Sequence, residues 1–514
     1  MLFVCGGLLG NAQTKDQPNI IWLMAEDISL DLECYGTKGV QTPNLNRLAA
    51  EGMRFNNCFV TNPICSPSRS SMMIGTHQLK INAHNHRSNR KVALPDPYKP
   101  FTYWLRESGY TTIIGHHGVM GYGRKIDCNF KTQMLGNWDG KENFGLFDKK
   151  DEFLAEDQPF FAQIQLVATH RGDWWDEVRN NSKDPVDPDE VVLPPYYADH
   201  PTIRLDWAKY LDQMEFIDKE VGMLVDELRQ KGMADNTVII FIGDNGRCNL
   251  RGKGYLHDPG LRIPLIIYDP RHKNTSKEID DVVSATDITA TILDMAGCDL
   301  PEYMTGQSFY KKKLSREEVY STRDLWDEIE EKSRSLSTEQ WKYIRNDKPE
   351  IPWDAHQAYL EFYRPALHIM RSLNEQGKLS PAEQFFFRKT KPVEELYDLV
   401  KDPYEMNNLA ANPKYAKTLL QLREKTIKYD KEMAPVSNSF YPVSPISVEV
   451  LEFVKKQYPE VYKRMLAGEE VGFKTYVNTY KEALGKPVRK IKSINNRTVF
   501  SVCAFEKRFN KHPK

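Results

Sequence analysis

Short apolar runs alternate with amphipathic segments along most of the chain, and the alternation predicts strands covered by helices. Residues 19–25, Asn-Ile-Ile-Trp-Leu-Met-Ala, form an apolar run short enough for a buried strand, and two carboxylates, Glu26 and Asp27, follow it. Thr42-Pro43 then opens a segment with Leu45, Leu48 and Ala49 on one face, the spacing of a helix packed on that strand. Residues 101–115 read as helix then strand, and 159–170 as a strand ending near His170. Residues 202–232 read as a long amphipathic helix that feeds a strand over 236–246. A strand at 262–270 and a helix at 287–297 extend the series.

Strands alternating with helices imply an α/β domain over residues 19–310, with a large, mostly parallel sheet sandwiched by helices. The pattern changes near residue 310. Residues 319–347 read as strands and turns, and 382–410 lead into a helix around 414–429, which predicts a smaller α+β C-terminal domain over 311–435. The remaining 436–514 read as a tail, irregular around 437–449 and helical beyond.

Composition narrows the function classes. The 514 residues carry 70 Lys+Arg against 71 Asp+Glu, a net charge of −1, so no global field recruits nucleic acid or an anionic membrane, and an anion must be recognised locally. Eight cysteines at 5, 34, 58, 65, 128, 248, 298 and 503 include no C-x-x-C pair, which argues against a zinc ribbon or a stapled scaffold. The opening residues 1–13 are apolar and too few to span a bilayer. With the polar stretch after them, residues 1–18 read as a signal peptide without the usual basic start, so export to a periplasmic or extracellular space is expected. Lipid attachment at Cys5 and a merely frayed N-terminus are the other readings.

Chemistry concentrates at predicted strand ends, where open α/β sheets gather ligands. Glu26 and Asp27 end one strand, His170 a second, and Asp244 and Asn245 a third. Either acidic group alone reads as a cap or a turn; together at one sheet edge they suit a hard divalent cation, calcium or magnesium. Cys65-Ser-Pro-Ser-Arg69 has the grammar of a helix start, with Ser66 as N-cap and Pro67 as first helical residue, so that Cys65 lies just outside the positive end. Lys253 and Arg69 supply positive charge for an anionic ligand, and Lys125 reads either as a further anion contact or as a solvated lysine. His170 reads as a structural strand-end histidine or as a general acid.

The Cys65–Arg69 stretch resembles the C-x-P-x-R signature of type I sulfatases, of the alkaline-phosphatase-like superfamily, whose cysteine becomes formylglycine (3-oxoalanine). Residues 20–27, 41–55, 242–254 and 394–410 resemble further segments of that family in the same order. The resemblance spans roughly residues 19–435. It implies a calcium site of Glu26, Asp27, Asp244, Asn245 and modified Cys65, with Glu26 where an aspartate is more usual. It implies that Arg69 steadies the formylglycine diol, Lys125 and Lys253 bind sulfate oxygens, and His170 protonates the leaving group. A hydroxyl of the hydrated aldehyde, helped by Asp244, would attack sulfur, and the other would then expel sulfate. The family's Gly-Lys-x-His segment is replaced here, so its lysine role falls to Lys125 or to His116 or His117; its second histidine is either His117 or His77.

Within the family, residues 82–88, Asn245 and 191–218 resemble the sulfamidase-like branch that desulfates N-sulfoglucosamine. His84, His86 and Arg87 would then line the sugar pocket together with His117, and Arg323 and Asp324 would contribute from the second domain. The expected partners are a sulfated saccharide and a sulfatase-maturating enzyme, with neither nucleic acid nor a transmembrane span. An O-sulfatase of another glycosaminoglycan or an algal polysaccharide shares much of the pattern. A phosphodiester or phosphonate hydrolase and a non-catalytic binding protein are the more distant readings.

Overall fold

The computed structural model describes residues 17–136, 145–272, 277–310, 314–435 and 445–487, with positions 437, 441 and 443. The leader reading of residues 1–18, apart from Gln17 and Pro18, lies outside the described residues, as do Cys5 and Cys503.

Ten strands come first: β1 (Asn19–Ala25), β2 (Met53–Phe59), β3 (Thr111–Ile114), β4 (Gln133–Leu135), β5 (Gly145–Phe147), β6 (Lys149–Lys150), β7 (Phe160–Leu166), β8 (Thr237–Gly243), β9 (Arg262–Tyr268) and β10 (Lys277–Ser284). Eight form one sheet in the order β10-β2-β9-β8-β1-β7-β3-β6, while β4 and β5 pair separately. Every residue of β1, β7 and β8 is buried, as expected of strands covered on both faces. The helices Pro43–Glu51 and Pro201–Gln230 contribute to the apolar core on one side; Cys65–Ile74, Phe101–Glu107 and Ala285–Met295 contribute to the core on the other.

The sheet is mostly parallel, with one departure: β9 runs antiparallel to both β8 and β2. After β8 the chain stays at the carboxyl edge of the sheet through residues 244–261, and it re-enters from that edge, which forces the reversal. The loop so placed carries Asp244, Asn245 and Lys253.

A second sheet of β11 (Glu318–Trp326), β12 (Ile329–Thr338), β13 (Trp341–Asn346) and β14 (Glu394–Asp398) is antiparallel throughout. The helix Ala416–Glu432 packs on it through Leu419 and Leu422. The sheet docks beside the Cys65 helix: the Thr322 amide donates to the Thr61 carbonyl at 2.9 Å, and the Asn62 side-chain amide donates to the Thr322 carbonyl at 2.7 Å. The tail is helical over Ile446–Gln457, Pro459–Leu466 and Phe473–Ala483, and it forms an apolar cluster with the helix Ala358–Tyr363.

Glu220 is buried on the long helix, where its carboxyl group accepts the Met120 amide at 2.6 Å and thereby holds the turn leading to Lys125. Burial raises its pKa from 4.5 to about 8, against the pull of that hydrogen bond. The neutral acid is therefore the form that suits the fold. Its contribution is complete below about pH 4.5 and is lost as pH rises through 8, at about 1.4 kcal/mol for each tenfold fall in proton concentration between those limits. Thermal melts from pH 5 to 9 should fall more steeply for the native chain than for Glu220→Gln; parallel curves would show that Glu220 titrates normally.

Candidate active site

Parallel register sets the site. Ala25 of β1 lies level with Leu166 of β7 and Gly243 of β8, so the residues just beyond them emerge at one edge. The Glu26 amide donates to the Leu166 carbonyl and the Asp244 amide to the Ala25 carbonyl, extending both ladders by one rung. Asp27 then turns with φ 51°, a left-handed conformation in which an L-residue is strained. Its amide donates to Asp244 Oδ1 at 3.0 Å, and the Asn245 side-chain amide donates to Asp27 Oδ1 at 2.9 Å.

The helix carrying the nucleophile candidate spans Cys65–Ile74, with Ile64 as its extended N-cap (φ −134°, ψ 137°). Ser66 is therefore not the cap, and Cys65 lies inside the first turn instead of just outside it. The Asn62 side chain accepts the Ile64 amide at 3.1 Å, and Ile64 already accepts the Ser68 amide, so the helix begins before Ser66, whose hydroxyl finds no partner among the described residues. The hydroxyl of Ser68 donates to the Asp244 carbonyl at 2.6 Å and locks this helix to the β8 loop. Cys65 is only 2% exposed, and one ligand atom each of Asp27, Cys65 and Asp244 lies within 4.8 Å of the others.

Each of three carboxylates here holds one cation. Arg69 Nε donates to Asp244 Oδ2 at 2.8 Å, Lys253 Nζ donates to both oxygens of Asp27 at 2.7 and 2.9 Å, and Lys125 Nζ pairs with Glu26. Burial alone would raise the Asp27 pKa, but Lys253, then His170 and Lys125, bring it down to about 2. Burial wins at Asp244, which is raised despite Arg69 because the Asp27 and Glu26 charges add to it. Burial likewise raises the Cys65 thiol and lowers His170 to about 3. His170 Nδ1 lies 3.0 Å from the Arg171 carbonyl, while Nε2 faces Glu26 and Asp27 at 3.9 and 4.0 Å.

Beside Lys125, Asp127, whose side chain is 4% exposed, binds Arg87 through a two-pronged contact of 2.9 and 3.1 Å and also pairs with Arg90. Arg87 remains 41% exposed, and Lys125 Nζ is 3.8 Å from Asp127. His86 is buried with Nε2 3.8 Å from Asp327.

The other candidates lie in separate contacts. His116 pairs with Glu227 at 3.1 Å, and His117 stacks on it and approaches the Asp151 carbonyl. Of the alternatives for the lysine role, Lys125 is the one the structure brings to the carboxylates. His77 is buried against Tyr320, and His84 approaches Asn85. Arg323 pairs with Glu331 and Asp324 with Arg334, both within the second sheet. Two residues beyond the expected set also build the site. Gln165 accepts from Arg69 Nη2 at 2.5 Å, and Asp127 organises the rim. Polar residues at 163 and 165 inside an otherwise apolar strand are the sequence signal for the first.

Residues 18–298 match the family model described as Sulfatase, and residues 246–354 match that described as N-sulphoglucosamine sulphohydrolase, C-terminal. An ulvan-active sulfatase of Formosa agariphila is 28% identical over 455 residues, covering 80% of this chain and 74% of its own. The N-sulphoglucosamine sulphohydrolase of Homo sapiens is 25% identical over 475 residues, covering 83% of this chain and 93% of its own. A solved structure in complex with its substrate D-glucosamine-2-N,6-O-disulfate superposes with a TM-score of 0.54 at 17% identity, covering 81% of this chain and 98% of the other.

Proposed function

The chain belongs to the sulfatase family, a sulfuric ester or sulfamate hydrolase by that membership, and we propose that its substrate is the terminal sulfated sugar of a polyanionic polysaccharide, with N-sulfoglucosamine first. The observation that carries the site is Cys65 at a buried helix start, with Asp27 and Asp244 beside it and three cations around them. The choice of sugar is supported by the C-terminal match over residues 246–354. An O-sulfatase of an algal polysaccharide is the second reading, supported by the ulvan-active relative.

The donor set suits a hard cation. Among the described residues Asn245 Oδ1 is buried without a partner, while its amide nitrogen is committed to Asp27 and the Gly246 carbonyl. Asp27, Asp244 and Asn245, with Glu26 and the modified Cys65, would hold calcium. Calcium and the formylglycine made from Cys65 would supply a fixed divalent charge and the hydrated-aldehyde nucleophile.

The remaining roles belong to this chain's own side chains. Arg69, four residues after Cys65 on the same helix face, is fixed by Asp244 and Gln165 and offers its charge at the nucleophile position. Lys253 and Lys125 turn their ammonium groups from Asp27 and Glu26 towards the oxygens of an arriving sulfate, where charge grows in the transition state. Asp244 accepts the proton of the attacking hydroxyl. His170 turns Nε2 to the leaving atom, because Nδ1 donates to the Arg171 carbonyl, and it gives up a proton there as the imidazolium, the form that an arriving anionic sulfate favours against the burial that lowers its pKa. Arg87, held by Asp127, meets a sugar hydroxyl or a neighbouring charge on the substrate.

The test is parallel incubation with N-, 2-O-, 3-O- and 6-O-sulfated glucosaminides, with ulvan oligosaccharides and with a phosphonate ester. Sulfate release from the N-sulfated sugar, exceeding the others by about 100-fold or more, is the expected result for a site that hydrogen-bonds its substrate. Release confined to an O-sulfated sugar would move the assignment to the second reading, and turnover of the phosphonate alone would overturn both.

A further inference from the structure

We propose that the C-terminal helical segment, residues 446–483, holds the His170 loop in its working position, with Glu470 as a positioning residue; this rests on the role given to His170 above. Both matched family models end before this segment, the later at residue 354, so the contact is not part of what those matches describe.

Three contacts converge on the loop. Arg171 directly follows His170, and its side chain is buried between Asp206 of the long helix and Glu470 of the tail, the latter at 2.5 Å, with its guanidinium 4.1 Å from the Trp175 ring centre. The carbonyl of the same Arg171 is the partner of His170 Nδ1 at 3.0 Å and accepts the Tyr359 hydroxyl at 3.5 Å. One residue thus connects the tail's carboxylate to the ring nitrogen that sets which nitrogen of His170 faces the substrate.

Asp173 supplies the second contact. It accepts the Lys474 amide and the Tyr363 hydroxyl, each at 3.2 Å, while the Lys474 ammonium sits 4.6 Å over Trp174, a ring 6.3 Å from His170. The third is apolar. Phe473 packs on Phe362 and Tyr363 at 4.8 and 5.5 Å, Tyr363 packs on Tyr359, and Tyr359 lies 6.2 Å from His170. Val450, Leu451, Val454 and Met465 anchor the tail against Ala358, Phe362 and Tyr363, so the support is itself a packed unit.

A proton donor matters most when the leaving group is a poor one, and it becomes dispensable when the leaving group departs readily. A donor displaced by a few tenths of an ångström should therefore lose rate in proportion to the basicity of the leaving group. The experiment compares the full-length chain with Glu470→Gln and Phe473→Ala, using kcat/KM for a sugar sulfate and for aryl sulfates of graded phenol acidity. Thermal melts check that each variant is folded. The expected loss is about tenfold on the sugar sulfate, shrinking to under about twofold on the most acidic phenol, with the slope of rate against leaving-group basicity steeper in both variants. A loss equal across all leaving groups, or no loss in either variant, would overturn the proposal. If the native chain cleaves aryl sulfates but no sugar sulfate, the substrate reading fails, and the aryl series alone still decides the role of the tail.

Discussion

Cys65→Ala should abolish sulfate release while leaving a folded protein. Cys65 begins a helix, a place that alanine tolerates, and it is 2% exposed, so removing its sulfur leaves only a small cavity. The expected stability cost is about 1 kcal/mol, at the lower end of large-to-small core changes. The rate should fall by several orders of magnitude, because the covalent nucleophile is gone and the surrounding cations have no intermediate to stabilise. Sulfate release and a thermal melt on the same preparation separate the two effects. Peptide mass analysis of the active native enzyme should show formylglycine at position 65. Full activity with only ordinary cysteine there would overturn the nucleophile assignment.

Asp244→Ala should be more disruptive. It removes the acceptor of Arg69 Nε and of the Asp27 amide together, leaving a guanidinium with 2% exposure without its carboxylate. Breaking a buried pair from one side costs about 3–5 kcal/mol, so both melting temperature and activity should fall. Asp244→Asn keeps the shape and an oxygen for the Asp27 amide, but its NH2 group then faces Arg69 Nε, donor against donor, and the buried guanidinium loses its counter-charge, so stability should fall here too while the rate drops by several orders of magnitude. Bound calcium, measured by elemental analysis, should fall in both variants. Native-like activity of Asp244→Asn would remove Asp244 from the site.

The order of strands and helices is legible because run length and periodicity separate β1, β7 and β8 from the long helix at Pro201–Gln230. Asp27, Asp244 and Asn245 are legible because polar residues directly after apolar strands must emerge at the sheet edge. Other features depend on partners far away in the chain. The helix at Cys65 starts earlier than its Ser-Pro suggests, because Asn62 and Ile64 satisfy its first amides. Neither Gln165 nor Asp127 carries a local motif for its guanidinium partner, and nothing in the tail's composition announces that Glu470 reaches Arg171. Arg323 and Asp324 are expected in a roof over the site, yet in the folded chain each is paired inside the second sheet with a strand neighbour. The choice between Lys125 and the paired histidines is spatial, since Glu227 and the Asp151 carbonyl draw those histidines elsewhere.

The burial of Cys65 also sets a timetable. Asp27 and Asp244 stand 217 residues apart, and β8 lies next to β1 in the sheet, so the pocket cannot close around Cys65 until that later strand has been made. From Cys65 to Asp244 the chain adds 179 residues, which at ribosomal rates of about 5–20 residues per second takes roughly 9 to 36 seconds. During that interval Cys65 is an accessible thiol on an incomplete sheet; afterwards it is 2% exposed, with its helix locked to the β8 loop. The proposed conversion of Cys65 to formylglycine would therefore have to precede completion of the sheet, and faster completion should leave a larger share of molecules unmodified.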